Sequence, residues 1–140
     1  RAPRTEVSGP AGRWLPPGEE GELFSALAAH LSKAGVKDRD LVVFPEAGAL
    51  EFLLGVRNPL RIEHLLPGCV DARVDRDLAA GLDTARPTRV VLVSRPTPEF
   101  GPAAFGRDYG LEVASHLARD YGVEARFRAG NMTAVVLLRR

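Results

Sequence analysis

The chain has little of the residues that most readily reveal a biochemical activity. It contains one cysteine, Cys69, among 140 residues, so it can form neither an internal disulfide nor a zinc site built from several cysteines. Its nineteen basic and eighteen acidic side chains leave a formal net charge of only +1. Because nucleic-acid-binding domains of this size usually have a basic excess, we expect no nucleic-acid partner.

Long apolar runs are also missing. No stretch approaches the roughly 20 apolar residues that a membrane-spanning helix needs, and no signal-peptide pattern is present. The sequence begins with Arg1 and not with methionine, which we interpret as a processed product or an excised piece of a longer chain. On this interpretation, this sequence can lack a membrane part of the parent protein.

The motifs of common catalytic and cofactor sites are absent as well. The glycines of residues 99–110 match neither a dinucleotide-binding G-x-G-x-x-G sequence nor a P-loop. Ser94 lacks the G-x-S-x-G turn that exposes a nucleophile. His30, His64 and His116 show no metal-binding spacing, and His30 and His116 fall on polar positions of predicted helices. We therefore predict no catalytic residue, no metal and no cofactor.

The sequence does contain the pattern of a folded domain, with 45% hydrophobic and 26% charged residues. Apolar residues at helical spacing predict helices in residues 19–35, 47–55, 75–87 and 111–122. Short apolar runs predict strands in residues 40–46 and 88–94, and residues 123–140 predict a hairpin that turns at Gly130-Asn131. A short extended segment near residues 5–8 returns through Trp14 and Leu15.

Strands that alternate with helices predict an α/β fold. We expect a three-layer sandwich with a mainly parallel central sheet and a C-terminal antiparallel hairpin. The whole chain is interpreted as one domain, with an N-terminal arm at residues 1–18 and a core at residues 19–140.

The first candidate site lies where the two central strands end. In open α/β sheets, ligands bind outside the carboxyl ends of the parallel strands. The first strand ends at Glu46 and the second at Arg95, and residues 99–110, "EFGPAAFGRDYG", follow the second. If the strands are neighbours, these side chains share one end of the sheet with Arg107, Asp108 and Tyr109. Glu46 and Arg95 then either bind a polar ligand or pair with each other.

The segment "EFGPAAFGRDYG" itself has two interpretations, an active-site loop and a packed structural clasp. Its aromatic residues Phe100, Phe105 and Tyr109 favour burial over the strand ends, and its glycines allow tight bends. Asp108 is placed to cap the following helix. We therefore interpret the segment mainly as a clasp, and Arg107 as the residue whose functional role most needs a test.

The second candidate site is the irregular segment "VRNPLRIEHLLPG". It brings together Arg57, Asn58, Arg61 and His64, a positively charged and hydrogen-bonding set that suits a phosphate or a sugar. The alternative is that these arginines are solvated or bind local carbonyl groups.

Four stretches together resemble a known family: "LVVFPEAGALEFLLGVRNPLR", "LLPG", "RPTRVVLVSRPTPEFGPAAFGRDYG" and "VEARFRAGNMTAVVLLRR". They are similar to the tail of bacterial polytopic membrane proteins of the GT-C glycosyltransferase class, the dolichyl-phosphate-mannose–protein mannosyltransferase-like members. The resemblance covers residues 41–140, and Glu46 departs from it because Ala-Gly follows in place of Gly.

The resemblance implies an extracytoplasmic, periplasmic location and a non-catalytic role. In this family the multi-spanning portion transfers a sugar from a polyprenyl-phosphate donor, and no residue of this chain matches its catalytic motif. The implied partners are the membrane-embedded portion of the parent chain and a glycan or polyprenyl-phosphate-sugar. Two alternatives stay open: a free-standing small-molecule-binding or enzymatic α/β domain that uses the strand-end cluster, and a protein-interaction module.

Overall fold

The computed structural model describes residues 6–9, 12–14, 16, 18–45, 48–61, 68, 70–94 and 105–140. The helices in these residues are α1 (Gly18–Lys33), α2 (Gly48–Leu54), α3 (Ala72–Ala85) and α4 (Leu111–Asp120). The strands are β1 (Val7–Gly9), β2 (Gly12–Trp14), β3 (Leu41–Phe44), β4 (Arg89–Ser94), β5 (Tyr121–Ala129) and β6 (Met132–Arg139). The predicted α/β class is confirmed, with one mixed sheet and one antiparallel sheet.

The main sheet has the strand order β3-β4-β6-β5. Strands β3 and β4 are parallel neighbours, as expected for two strands joined through helices. Strand β6 is antiparallel to both β4 and β5, which confirms the C-terminal hairpin. Two of the three strand pairs are therefore antiparallel, and the sheet formed by the described strands is mixed where a mainly parallel one was expected. The reason is that β6 inserts between β4 and β5.

Helices pack on both faces of this sheet. Val42, Val90 and Leu137 are aligned across three strands and belong to a core cluster with α3 and α4. The next aligned set is Val43, Val91 and Val136. That set belongs to a second cluster with α1 and α2, because successive strand residues point to opposite faces. Burial of each such valine stabilises the fold by about 1.5–3 kcal/mol.

The N-terminal arm forms the small sheet. Strands β1 and β2 pair as a short antiparallel hairpin, which confirms the predicted extended segment and its return. Val7 is fully buried with α1. A side chain on Gly9 would collide with the backbone oxygen of Leu53, so the hairpin approaches α2 closely only because this residue is glycine.

Strand β5 contains a bulge between Val123 and Ala125. A bulge adds one residue to a strand and breaks the regular alternation of its side chains. Val123 is therefore exposed, while Ala125 and Phe127 pack against the cluster on the α1 side. Glu124 also reaches α1, where it contacts His30.

The described helices include none that is both long enough and apolar enough to cross a bilayer.

Candidate functional site

The carboxyl ends of β3 and β4 lie side by side, because the two strands are parallel neighbours in register. This confirms the premise of the first candidate site. Glu46 and Arg95, which follow these strands, lie outside the described residues, as does His64 of the second candidate site. Their pairing or ligand contact stays a prediction.

Residues 105–110 form a packed turn at this end of the sheet. The Gly106 N–H donates to the Tyr109 carbonyl oxygen at 2.8 Å. The Phe105 and Tyr109 rings meet edge to face, with centroids 5.9 Å apart, and both pack against the cluster on the α3–α4 side. Burial raises the pKa of Tyr109. For the part of the segment that the structure describes, these contacts favour the structural clasp.

Arg107 and Asp108 lie on the surface of this turn. The Arg107 guanidinium donates to one carboxylate oxygen of Asp108 at 2.7 Å and 3.0 Å, and the side chain of Arg107 is 71% exposed. An exposed pair between adjacent residues contributes little to stability.

The prediction that Asp108 caps the following helix is wrong. The N-cap residue of α4 is Gly110, which has a φ of 67° and makes no side-chain cap. The cap comes from Asp75 of α3 instead: its carboxylate accepts from the N–H groups of Glu112 at 2.8 Å and Val113 at 3.1 Å. Asp75 is buried, so it both satisfies two backbone donors and joins two helices.

Arg57, of the second candidate site, binds Asp38. Its guanidinium donates to both carboxylate oxygens, with a shortest distance of 2.5 Å, and its backbone N–H donates to the same carboxylate at 2.8 Å. The hydrogen bond from the Arg57 side chain lowers the pKa of Asp38 to about 2. Arg57 thus fastens the chain after α2 to the turn before β3.

Asn58 and Arg61 have different surroundings. The Asn58 side-chain oxygen accepts from the Leu60 N–H at 2.8 Å, a local turn typical of asparagine. Arg61 is exposed and lines a depression of about 630 Å³ against α3, together with Asp77 and Thr84. The described contacts join Arg57 to Asp38 and Arg107 to Asp108, and they do not join the two candidate sites to each other.

A charged cavity that the sequence did not predict lies at the opposite end of the sheet. It has a volume of about 510 Å³ and forms where α3, α4 and β6 end and β5 begins. We call it the arginine cavity. Its lining residues are Leu82, Asp83, Arg86, His116, Arg119, Asp120, Tyr121, Arg139 and Arg140.

His116 lines the arginine cavity and is buried, with 7% of its surface exposed. The expectation that it lies on a polar position of its helix is therefore wrong. Its Nδ1 lies 3.1 Å from Nη2 of Arg119. Since a guanidinium only donates, Nδ1 is the acceptor. Nε2 lies 3.5 Å from a carboxylate oxygen of Asp120.

Arg119 and Asp120 hold each other in a two-point contact, at 2.8 Å and 2.9 Å. This hydrogen bonding lowers the pKa of Asp120. The Tyr121 hydroxyl donates to the Pro87 carbonyl oxygen at 2.6 Å, and burial raises the pKa of Tyr121 to about 12. Tyr121 is therefore a structural donor and not an acid–base group at neutral pH.

Possible ligand atoms of Asp83, His116 and Asp120 lie within 4.8 Å of one another. A metal ion would have to approach Asp120, whose carboxylate is bound by Arg119, and His116, whose Nδ1 faces the same guanidinium. Positive charge at both positions opposes a cation. The arrangement suits an anion better than a metal.

The sequence held a partial signal for this cavity. His116, Arg119 and Asp120 are spaced three and four residues apart on one helix, so they share a face. The convergence of Arg86, Arg139 and the helix α4 face depends on long-range packing, which no local pattern encodes.

A second ionic cluster lies on the α1 side of the same end. Arg89 donates to both carboxylate oxygens of Glu124, at 2.8 Å and 2.9 Å, and His30 Nε2 lies 3.0 Å from the same carboxylate. Hydrogen bonding from Arg89 first, and from His30 second, lowers the pKa of Glu124 to about 2, while burial acts in the opposite direction. This cluster joins α1, β4 and β5 and has a structural role.

In comparisons with known proteins, the chain matches no protein-family model, no curated protein and no solved structure.

Proposed function

We propose that this chain is a non-catalytic extracytoplasmic domain of a larger membrane protein that resembles a polyprenyl-phosphate-sugar-dependent glycosyltransferase of the GT-C class. In that protein the domain covers or shapes the acceptor side of the membrane-embedded site. The support for the family is the set of motifs in residues 41–140.

The observation that supports a non-catalytic role is how the candidate side chains are used. Arg57 is bound to Asp38 at both carboxylate oxygens, and Tyr109 packs on Phe105. In the part of the chain that the structure describes, no serine, threonine or cysteine is hydrogen-bonded to a histidine. Such a pair is one common arrangement for nucleophilic catalysis, and the described contacts are compatible with a binding or positioning role.

The proposed partner is the membrane-embedded portion of the parent chain, on the periplasmic face of the bacterial inner membrane. A glycan or polyprenyl-phosphate-sugar is the proposed ligand of the assembled protein. We further propose that the domain is a three-layer sandwich, because the two core clusters lie on opposite faces of the main sheet with helices on each.

The experiment begins with the reading frame that encodes Arg1. We expect it to encode several apolar spans of about 20 residues upstream of this position. Alkaline phosphatase fused after Arg140 of the full-length protein should be active, because this enzyme matures only outside the cytoplasm. A start codon directly upstream of Arg1, or a fusion that is inactive although expressed, would contradict the proposal.

A second measurement tests the role of the domain. Membranes that contain the full-length protein should transfer sugar from a polyprenyl-phosphate donor, and deletion of this domain should reduce transfer to the acceptor. Donor binding should persist in the deleted protein, because the proposal places the chemistry in the membrane portion. Undiminished transfer after the deletion would exclude a role in shaping the acceptor side.

A small-molecule-binding domain is the second candidate function, and the arginine cavity is the observation that favours it. The sequence indicates the strand-end cluster as the site of such a domain, but Glu46 and Arg95 of that cluster lie outside the described residues. A protein-interaction module has less support. Among the described residues, the exposed large apolar side chains are Phe52, Leu111, Val123 and Leu138, and they lie on four different elements.

A further inference from the structure

The arginine cavity concentrates positive charge in a chain that is almost neutral. Four arginines and two aspartates line it, an excess of two positive charges, whereas the whole chain has a net formal charge of +1. Guanidinium groups match the geometry of phosphate and carboxylate oxygens and bind them through paired hydrogen bonds. The cavity volume of about 510 Å³ lies within the range of small-ligand sites.

Arg86 has an unusual backbone for an arginine. It follows α3 with a φ of 46° and a ψ of 53°, the left-handed conformation, where helices usually place glycine. Other residues adopt this conformation at a cost in free energy, which often marks a functional position. The described contacts give its guanidinium no hydrogen bond, although the side chain lines the cavity. Arg86 is therefore placed to bind an external group.

The other three arginines are held in position. Arg119 is fixed by Asp120 and His116. Arg139 donates to the carbonyl oxygen of Arg86, and Arg140 donates to that of Arg119 at 3.4 Å. Each guanidinium has five N–H donors, so Arg139 and Arg140 keep donors beyond these contacts. Side chains ordered in advance lower the entropic cost of binding.

Two features of the cavity oppose an anion: the C-terminal ends of two helices and the carboxylates of Asp83 and Asp120. Helices α3 and α4 both end here, and a helix C-terminus has a partial negative charge. Arg139 and Arg140 bind carbonyl groups at these two helix ends and so offset this charge. Asp120 is neutralised by Arg119. The excess of two positive side-chain charges falls to about one after the partial charges of the two helix ends, about −0.5 each, are subtracted. The cavity still favours an anion, and the three arginines Arg86, Arg139 and Arg140 suit the three terminal oxygens of a phosphate group better than the two oxygens of a carboxylate.

We propose that the arginine cavity binds a phosphate group, either free or at the end of a phosphomonoester. Arg86 is its principal ligand, and Arg139 and Arg140 supply further donors. This site is separate from both sites predicted from the sequence and does not depend on the proposed function.

The test is a titration of the chain with inorganic phosphate and with glucose 1-phosphate, at constant ionic strength, followed by amide NMR. Glucose serves as the uncharged control. We expect saturable shifts with both phosphates and none with glucose. Arg86→Gly should weaken binding about tenfold or more, because it removes a hydrogen-bonding charge. Glycine suits the left-handed backbone, so this variant should melt at the same temperature as the parent or higher.

Arg39→Gly is the matched control. Arg39 is also exposed and left-handed, with a φ of 59°, but it does not line the cavity. The change removes the same charge and relieves the same type of backbone conformation. Phosphate affinity should stay within about twofold of the parent value, since a residue that shares no contact with the cavity couples only weakly to it. Equal weakening by both variants, or shifts that never saturate, would overturn the proposal.

A vesicle arm separates soluble from lipid sources of the phosphate group. Vesicles of phosphatidylcholine with and without phosphatidic acid are sedimented with the chain. Sedimentation that requires phosphatidic acid and is lost in Arg86→Gly assigns the site to a lipid headgroup, and absence of sedimentation with intact soluble binding assigns it to a soluble ester. Neither result bears on membrane topology, so failure of this proposal and failure of the proposed function are distinguishable.

Discussion

The two ends of the main sheet use charged side chains in different ways. At the carboxyl ends of β3 and β4, Arg107 binds its own sequence neighbour Asp108, and the Phe105 and Tyr109 rings of the same turn pack against each other. At the opposite end, the arginine cavity gathers residues from two helices and two strands. In the residues that the structure describes, the first arrangement is a packed turn with an ion pair between sequence neighbours. Only part of the second, the helical spacing of His116, Arg119 and Asp120, is visible in the sequence, and the assembled cavity has the charge and volume of a binding site.

The largest expected effect is at the carboxyl end, where Asp75 joins α3 to α4. Asp75→Ala should lower the free energy of unfolding by about 2–3 kcal/mol, because one buried and one part-buried N–H group lose their acceptor. Denaturant unfolding measures the change. Asp77→Ala, an exposed change on the same helix, should stay within about 0.5 kcal/mol. A similar loss of stability in both variants would show that the hydrogen bonds from Asp75 to α4 do not stabilise the fold more than an exposed aspartate does.

The second-largest expected effect is at the opposite end of the main sheet, in the ionic cluster of His30, Arg89 and Glu124. Glu124→Gln should lower the free energy of unfolding at pH 7 by about 2 kcal/mol, because the lowered pKa of Glu124 reflects favourable contacts with Arg89 and His30. The ordinary pKa of 4.5 falls to about 2 in the folded chain. The contribution is therefore complete above pH 4.5 and is lost as the pH falls toward 2.

The difference in stability between the parent and Glu124→Gln should thus shrink through this acid range, as measured by thermal melting at several pH values. Glu22→Gln, an exposed change on α1, is the control and should show no such convergence. A difference that is constant from pH 7 to pH 2 would contradict the assignment.

The third prediction compares one tyrosine at each end of the sheet. Tyr121→Phe should cost about 1 kcal/mol, because the buried Pro87 carbonyl oxygen loses its donor. Tyr109→Phe should cost less than about 0.5 kcal/mol, since packing against Phe105 is kept and the described contacts give the Tyr109 hydroxyl no partner. Chemical unfolding of both variants measures the contrast. Equal losses of stability in Tyr121→Phe and Tyr109→Phe would contradict the assignment of a structural hydrogen bond to Tyr121 alone.

The smallest effect concerns Arg57 and Asp38. Arg57→Ala should leave the melting temperature nearly unchanged, because both side chains are largely exposed. The pKa of Asp38, about 2 in the parent, should rise toward its ordinary range when the guanidinium is removed. Carboxyl NMR titration detects this shift. An unchanged pKa would show that the pair does not persist in solution, and Arg57 would return as a ligand candidate.

Local patterns in the sequence predicted most of the fold. The apolar spacing of α1 and α4, the buried runs of β3 and β4 and the turn at Gly130-Asn131 all led to elements that the structure confirms. Each of these signals lies within a few residues of chain. The insertion of β6 between β4 and β5 was missed, because strand order depends on pairing between segments far apart in sequence.

The candidate site was harder to predict for the same reason. The cap of α4 comes from Asp75, 37 residues away from Glu112, and the nearby Asp108 looked suitable by position alone. The burial of His116 depends on Tyr121 and on the end of α3, and a helical pattern marks that position as polar. Long-range contacts between charged residues leave no periodic trace in the sequence.

The most direct measurement is to map amide NMR shifts across the chain during a titration with inorganic phosphate. If the arginine cavity is the binding site, the largest shifts should occur at Arg86, at His116 and in residues 119–122 and 139–140. Shifts that are largest in residues 105–110 or 57–61 would contradict this account and return the site to the positions that the sequence first indicated.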